Sequence, residues 1–164
     1  MVNDGGPQPA HGAGASAASA GRTAAALVLG WILPGLGHAV LGRVRRGLLF
    51  TAIVVGCFAL GIAHDGRLAL RDGRQAFLTT LQLVANAGVG PADLLARFAV
   101  YGEAAYAAGD DAAGGAIESR AVRIFRERSR SGVSAYGTAY LWTAGLMNIL
   151  LLFDVWDIAR GRKS

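Results

Sequence analysis

Residues 132–153 read GVSAYGTAYLWTAGLMNILLLF, and this stretch decides the fold because none of its 22 residues is charged. As an α-helix it would extend about 33 Å, enough to cross the hydrocarbon core of a bilayer, which is about 30 Å thick. Tyr136 and Tyr140 lie towards one end and Trp156 just beyond the other, as in the aromatic belts of membrane proteins. We therefore predict that residues 132–164 form a C-terminal transmembrane helix with a basic tail.

Two further uncharged stretches lie upstream, at residues 23–42 and 47–63, separated by a four-residue turn that contains three arginines. Both lengths fall within the range that spans a bilayer. Pro34 interrupts the first stretch, so we expect a kink near Ile32–Pro34. The pattern predicts a transmembrane helical hairpin over residues 23–63.

Residues 64–131 connect this hairpin to the last span. Segment 76–92 is uncharged but carries polar side chains that lipid would leave unpaired, so we expect it to be interfacial or re-entrant rather than spanning. Two amphipathic helices are expected to follow, each with an apolar stripe at helical spacing. The first stripe is Leu94, Leu95, Phe98 and Tyr101, and the second is Ile117, Ala121, Ile124 and Phe125.

The whole chain of 164 residues is 53% hydrophobic, only 16% charged, and carries a formal net charge of +5. This balance is typical of a membrane protein and leaves no room for a separate catalytic domain. The basic residues flank apolar runs, which favours an orientation signal over nucleic-acid binding. Residues 1–22, rich in Gly, Ala and Ser without apolar periodicity, are predicted to be a disordered tail.

Four polar residues of the apolar runs are candidates for a structural or functional role: His38, Asn148, Asp154 and Asp157. His38 could hydrogen-bond between helices or titrate. Asp154 could be solvated at a helix end, bind a partner on another helix, or serve as a proton or cation site. Asp157 is expected to pair with Arg160 or Arg162. The sequence shows no catalytic motif, no metal-ligand spacing and no cofactor-binding loop, so we predict no enzyme activity, cofactor, metal or small-molecule substrate.

His38 and Asp154 should lie at the same depth. With three spans, the first and last end on the same side of the membrane, and each residue lies about five or six positions from its helix end. A histidine and a carboxylate in a poorly hydrated layer reduce each other's desolvation penalty. We therefore predict that the two side chains approach within hydrogen-bonding or one-water distance.

The predicted hairpin contains a glycine-rich motif: Pro34, Gly35, Gly37, His38, Leu41, Gly42, Arg43 and Gly47. This hairpin motif resembles that of the two-transmembrane (TM-two) domain and of related uncharacterised bacterial membrane proteins, and residues 136–163 resemble the end of the same family. The resemblance implies a multi-pass protein of the bacterial inner membrane with no assigned catalysis. This chain departs from the pattern in having Ala39 and Val40 where an aromatic usually precedes Leu-Gly.

Together these features predict an all-α integral membrane protein with three spans and an outside N-terminus. Its expected role is that of a non-enzymatic helix-packing or interaction module, in contact with the lipid bilayer and with a second copy or another membrane protein. Small residues at Ala52, Gly56 and Ala59 would form the contact face. The alternative is a small transport or ion-conducting subunit that uses Asn148 and Asp154.

Overall fold

A computed structural model describes residues 11–107 and 119–162. This part of the chain is helical, which confirms the all-α prediction, and a short 3-10 turn, Gly73–Gln75, precedes the fourth helix. The α-helices of the described ranges are α1 (His11–Ile32), α2 (Leu36–Val40), α3 (Val44–Ala63), α4 (Ala76–Ala87), α5 (Pro91–Tyr101), α6 (Arg120–Ser129) and α7 (Ser134–Ala159).

Two helices of the described ranges, α3 and α7, are each long and apolar enough to cross a membrane. The pair formed by residues 73–87 and α5 is bent by 108° and would add a third crossing only if it acted as one broken span. This bend is also the geometry of a re-entrant loop, one of the two arrangements expected for segment 76–92.

The first apolar stretch does not form one continuous helix, which corrects the predicted span at residues 23–42. α1 ends at Ile32, and the chain reverses at Pro34 and Gly35, where Gly35 has a left-handed φ of 88°. α2 then runs back beside α1, so that a Cβ built on Gly37 would lie 2.6 Å from the Ala26 carbonyl oxygen. The break at Pro34 was expected, but its consequence is a reversal rather than a kink.

The start of α1 also corrects the boundary of the N-terminal tail. The helix begins at His11, upstream of the expected boundary at Arg22. Alanine has the highest helix propensity, and the alanine-rich sequence of residues 11–22 explains why the helix extends there without an apolar face. Residues 1–10 lie outside the described ranges, so their predicted disorder stays a prediction.

Most of the other helices pack on α7, whereas α5 packs on α4 and α6. α3 runs antiparallel to it: Gly61, near the end of α3, contacts Leu141 near the start of α7. Val54, in the middle of α3, packs in one cluster with Ala144 and Leu151. α1 and α2 pack against the C-terminal half of α7, and α4 packs against its middle. The predicted hairpin therefore consists of helices that contact α7 and α2 more than each other.

On α5 the charged side chains face the protein interior and most of the large apolar side chains are exposed. Leu95 and Phe98 are 69% and 51% exposed, whereas Asp93 and Arg97 are buried. The predicted stripe of α5 is exposed for most of its length, and only Tyr101 of that stripe is buried. An exposed apolar face is favourable where the surroundings are lipid. α6 has the opposite pattern, with Ala121 buried and its arginines mostly exposed, as predicted. Ile117, the first residue of the predicted stripe, lies outside the described residues.

Gly145 sets the distance between α4 and α7. A Cβ built on Gly145 would lie only 1.5 Å from the Ala85 carbonyl oxygen, so the two backbones are in direct contact there. Such close approach is how small residues promote helix packing in membranes.

We expect Gly145→Ala to destabilise the protein by about 3 kcal/mol, because the added methyl overlaps backbone that cannot move without separating α4 from α7. Gly56→Ala, in the middle of α3, is the matched control, since a Cβ there meets no atom within 4 Å. Reversible unfolding in detergent measures both. Equal stability of the two variants would contradict the close packing of α4 on α7.

Candidate functional site

His38 and Asp154 form the polar contact that was predicted from their depth. His38 Nε2 lies 3.0 Å from Asp154 Oδ2, which confirms the approach. The His38 side chain is fully buried and that of Asp154 is 30% exposed. The His38 ring also packs against the Phe50 ring, with centroids 5.2 Å apart. The contact therefore joins α2 to α7 and to the first turns of α3.

Three side chains satisfy backbone carbonyls at the points where helices break. The Thr51 hydroxyl on α3 donates to the carbonyl of Pro34. Trp31 Nε1 donates to the Ala87 carbonyl at 3.2 Å, and Asn148 Nδ2 donates to the Gly88 carbonyl at 2.8 Å. A carbonyl released from a helix needs such a donor wherever water is scarce.

The break between α1 and α2 contacts the break between α4 and α5 through Trp31. A Cβ built on Gly90 would lie 2.0 Å from the Trp31 carbonyl oxygen, and Gly90 has a positive φ of 72°. The end of α1 therefore touches the corner between α4 and α5. Because Asn148, in the middle of α7, binds the neighbouring Gly88, this meeting point lies at half the length of α7.

The glycines of the hairpin motif allow backbone segments to approach each other closely. The segments at Gly35 and Gly47 cross with their backbones in contact, since a Cβ on Gly35 would lie 2.1 Å from the Gly47 carbonyl oxygen. Gly42 has a positive φ of 81° in the turn before α3, and Arg43 is the N-cap of that helix. The motif thus consists of structural positions that allow α2 to fold between α1 and α3.

Asn148 and Asp154 do not line a common route. They lie six residues apart on α7 and hence about 120° apart around the helix. Asn148 binds α4 and Asp154 binds α2. Asp157 is 3.8 Å from Arg162, one of the two partners predicted for it.

Asp93 and Arg97 form a second polar cluster, which sequence reasoning missed. Arg97 Nε donates to Asp93 Oδ2 at 2.8 Å, and both side chains are buried. Arg97 Nη1 donates to the carbonyls of Ala69 and Ala105 at 2.9 and 2.6 Å. Its guanidinium also lies 4.1 Å from the centre of the Tyr106 ring. Partial burial and the nearby Asp93 carboxylate raise the pKa of the Tyr106 hydroxyl. The cluster thereby fixes α5 to the segments on either side of it.

One signal in the sequence could have indicated this pair. Asp93 and Arg97 are spaced i, i+4, the spacing that brings opposite charges together on a helix. They alternate with the apolar residues Leu94, Leu95 and Phe98. A charged pair opposite an apolar face indicates a helix whose polar side packs inwards when the apolar side faces lipid.

Several buried polar atoms in the described ranges have no hydrogen-bond partner there. Both side-chain polar atoms of Asn86 belong to this group, although the residue is only 1% exposed. His38 Nδ1 and Asn148 Oδ1 also belong to it. Within the described ranges, no three His, Cys, Asp or Glu side chains lie close enough to hold a metal ion.

A protein-family model described as a family of unknown function (DUF6677) matches residues 25–164. Comparison with curated proteins and with solved structures gives no match.

We expect His38→Ala and Asp154→Ala each to destabilise the protein, and the double variant to be about 1 kcal/mol more stable than the sum of the two effects predicts, because both remove the same contact. The free energies of unfolding of the two single variants and the double variant, measured in detergent, test this. Asp157→Ala is the matched control on the same helix: its ion pair with Arg162 is largely exposed and contributes little. Strict additivity would mean that the 3.0 Å contact adds nothing to stability.

Proposed function

The chain belongs to the DUF6677 family of unknown function, and we propose that it is a non-enzymatic integral membrane protein that acts as a helix-packing and interaction module. The observation that carries the proposal is the outer face of α3. Ala52 and Ala59 are exposed, and a Cβ on Gly56 would meet no atom of the described residues within 4 Å. Small residues on a membrane helix with nothing packed on them are suited to contact a second helix.

The polar residues support this role more than transport. Asn148 binds the Gly88 carbonyl and Asp154 binds His38, so each connects α7 to another helix. Transport through Asn148 and Asp154 would need the two to face one pathway, whereas they face α4 and α2. In a helix-packing module, Asn148 and Asp154 would act through the contacts that they make here, by holding α4 and α2 against α7.

The proposal includes a topology of two crossings, by α3 and α7. α1 reaches only the middle of α7 before α2 returns to the end from which α1 came. α4 reaches the same level from the opposite end, where Gly88 meets Asn148, and α5 leads back to Leu68 and Ala69. Both pairs would then be re-entrant, and both chain termini would lie on one side. This proposed topology takes the place of the one expected from the sequence, which had three spans and an N-terminus outside the cell.

Residues 21, 42, 72 and 107, all exposed, test this topology when each is replaced singly by cysteine in a Cys57→Ser background. We expect an impermeant maleimide to label positions 21 and 42 from one side of the membrane and positions 72 and 107 from the other. Positions 21 and 42 on opposite sides would make α1 and α2 one span. Positions 72 and 107 on opposite sides would make α4 and α5 a broken span.

We expect Gly56→Leu to weaken self-association of the full chain in liposomes at least several-fold, because the bulky side chain separates the α3 faces. Energy transfer between labelled copies measures this. Ala99→Leu is the control, since it adds bulk at another exposed helix position, on α5. If energy transfer is unchanged by Gly56→Leu, α3 is not the contact face.

The relation to the TM-two domain and a bacterial inner-membrane location belong to the same proposal. Their support is the motif from Pro34 to Gly47, whose glycines form the α2 turn and its crossing with α3. The missing aromatic at Ala39 and Val40 leaves this crossing intact.

A further inference from the structure

A cavity of about 70 Å³ lies between α4, α6, α7 and the segment that follows α3. Two of its lining side chains, an arginine and a tryptophan, carry hydrogen-bond donors but no acceptor. The lining residues are Arg67, Ala69, Gln82, Phe125, Thr138 and Trp142.

Arg67 brings a positive charge to this cavity without a carboxylate. Its Nη1 donates to Ser129 Oγ at 3.3 Å, and its guanidinium lies 5.5 Å from the centre of the Phe125 ring. None of the ion pairs found in the described ranges includes Arg67. Its partners there are neutral, so an anion entering the cavity would meet an uncompensated charge.

Trp142 supplies a second donor. Its Nε1 atom is buried and has no hydrogen-bond partner in residues 11–107 and 119–162. An indole nitrogen can only donate, and a buried donor without an acceptor is destabilising. An oxygen that accepts from both Trp142 and Arg67 would remove this penalty and neutralise the charge.

The depth of the cavity indicates where that oxygen would come from. Thr138 lies about 6 Å along α7 from its start at Ser134, near the boundary between headgroups and hydrocarbon if α7 spans the bilayer. Trp142 lies one helical turn deeper, and side chains on a helix lean towards its N-terminus, here towards that boundary. α6, which contributes Phe125 to the lining, exposes several arginines. Basic helices at this level attract anionic lipids.

We propose that this cavity binds the phosphate group of an anionic phospholipid, with Arg67 and the Trp142 N–H donating to its non-bridging oxygens. The inference rests on the membrane placement of α7 in the proposed function, but not on self-association through α3. The chemistry required is that of a phosphate oxygen, and a lipid headgroup supplies it at the right depth.

Binding is tested with the full chain purified in a mild detergent, by native mass spectrometry and by the shift in melting temperature. Phosphatidylglycerol, phosphatidylcholine and inorganic phosphate are compared. We expect phosphatidylglycerol to bind most tightly, and Arg67→Gln to weaken this binding about tenfold, as expected for the loss of a charge-assisted hydrogen bond. Trp142→Phe, which removes only the N–H donor, should weaken it about threefold.

Arg74→Gln is the matched control, because Arg74 lies exposed in the same connection and does not line the cavity. Equal affinity for the two lipids, or equal loss in Arg67→Gln and Arg74→Gln, would overturn the site. A full melting shift with inorganic phosphate alone would overturn the lipid source. If Arg67→Gln does not fold, the affinity of Trp142→Phe for phosphatidylglycerol tests the site instead. Recovery of each variant in alkali-washed membranes shows that it has inserted, so that weak lipid binding can be assigned to the site and not to failed membrane insertion.

Discussion

The architecture depends on the need to satisfy carbonyl groups where helices break among packed helices. Thr51, Trp31 and Asn148 each donate to one such carbonyl, at Pro34, Ala87 and Gly88. Each of these bonds also connects two segments that are distant in sequence. The same contacts therefore satisfy the carbonyl at each break and hold distant helices together, because the donor at each break comes from another helix.

Glycine makes these contacts possible by letting backbones meet without side chains between them. Gly35 crosses Gly47, and Gly145 meets Ala85 at distances that no Cβ would allow. The inward side chains can then be polar: Arg97 with Asp93, and His38 with Asp154, lie inside while leucines and phenylalanines lie outside. Packing and hydrogen bonds between helices thus take over the role that apolar burial plays in a water-soluble core.

The sequence predicts features that depend on local pattern. α7 follows from its uncharged length. The approach of His38 to Asp154 was also predicted, but on the premise of a first span over residues 23–42, whereas in the structure the short helix α2 brings His38 to α7. The reversal at Pro34 could not be predicted, because proline interrupts a helix by removing one hydrogen bond, whereas the direction of the chain afterwards depends on Gly35 meeting Gly47. The polar inward face of α5 was missed because the apolar stripe alone does not say which side of the helix packs on the protein, and of that stripe only Tyr101 is buried. The direction of a stripe depends on the solvent, which sequence spacing does not encode.

The contact between His38 and Asp154 spans 116 positions along the chain and has a consequence for biosynthesis. When α2 leaves the ribosome, neither its carboxylate partner nor the corner at Ala87 that receives Trp31 has been made. Trp31 can donate to its acceptor once residue 87 has been made, whereas His38 must wait until residue 154 has been added. The His38 ring, which is fully buried in the folded protein, thus gains its partner only after α7 has been made.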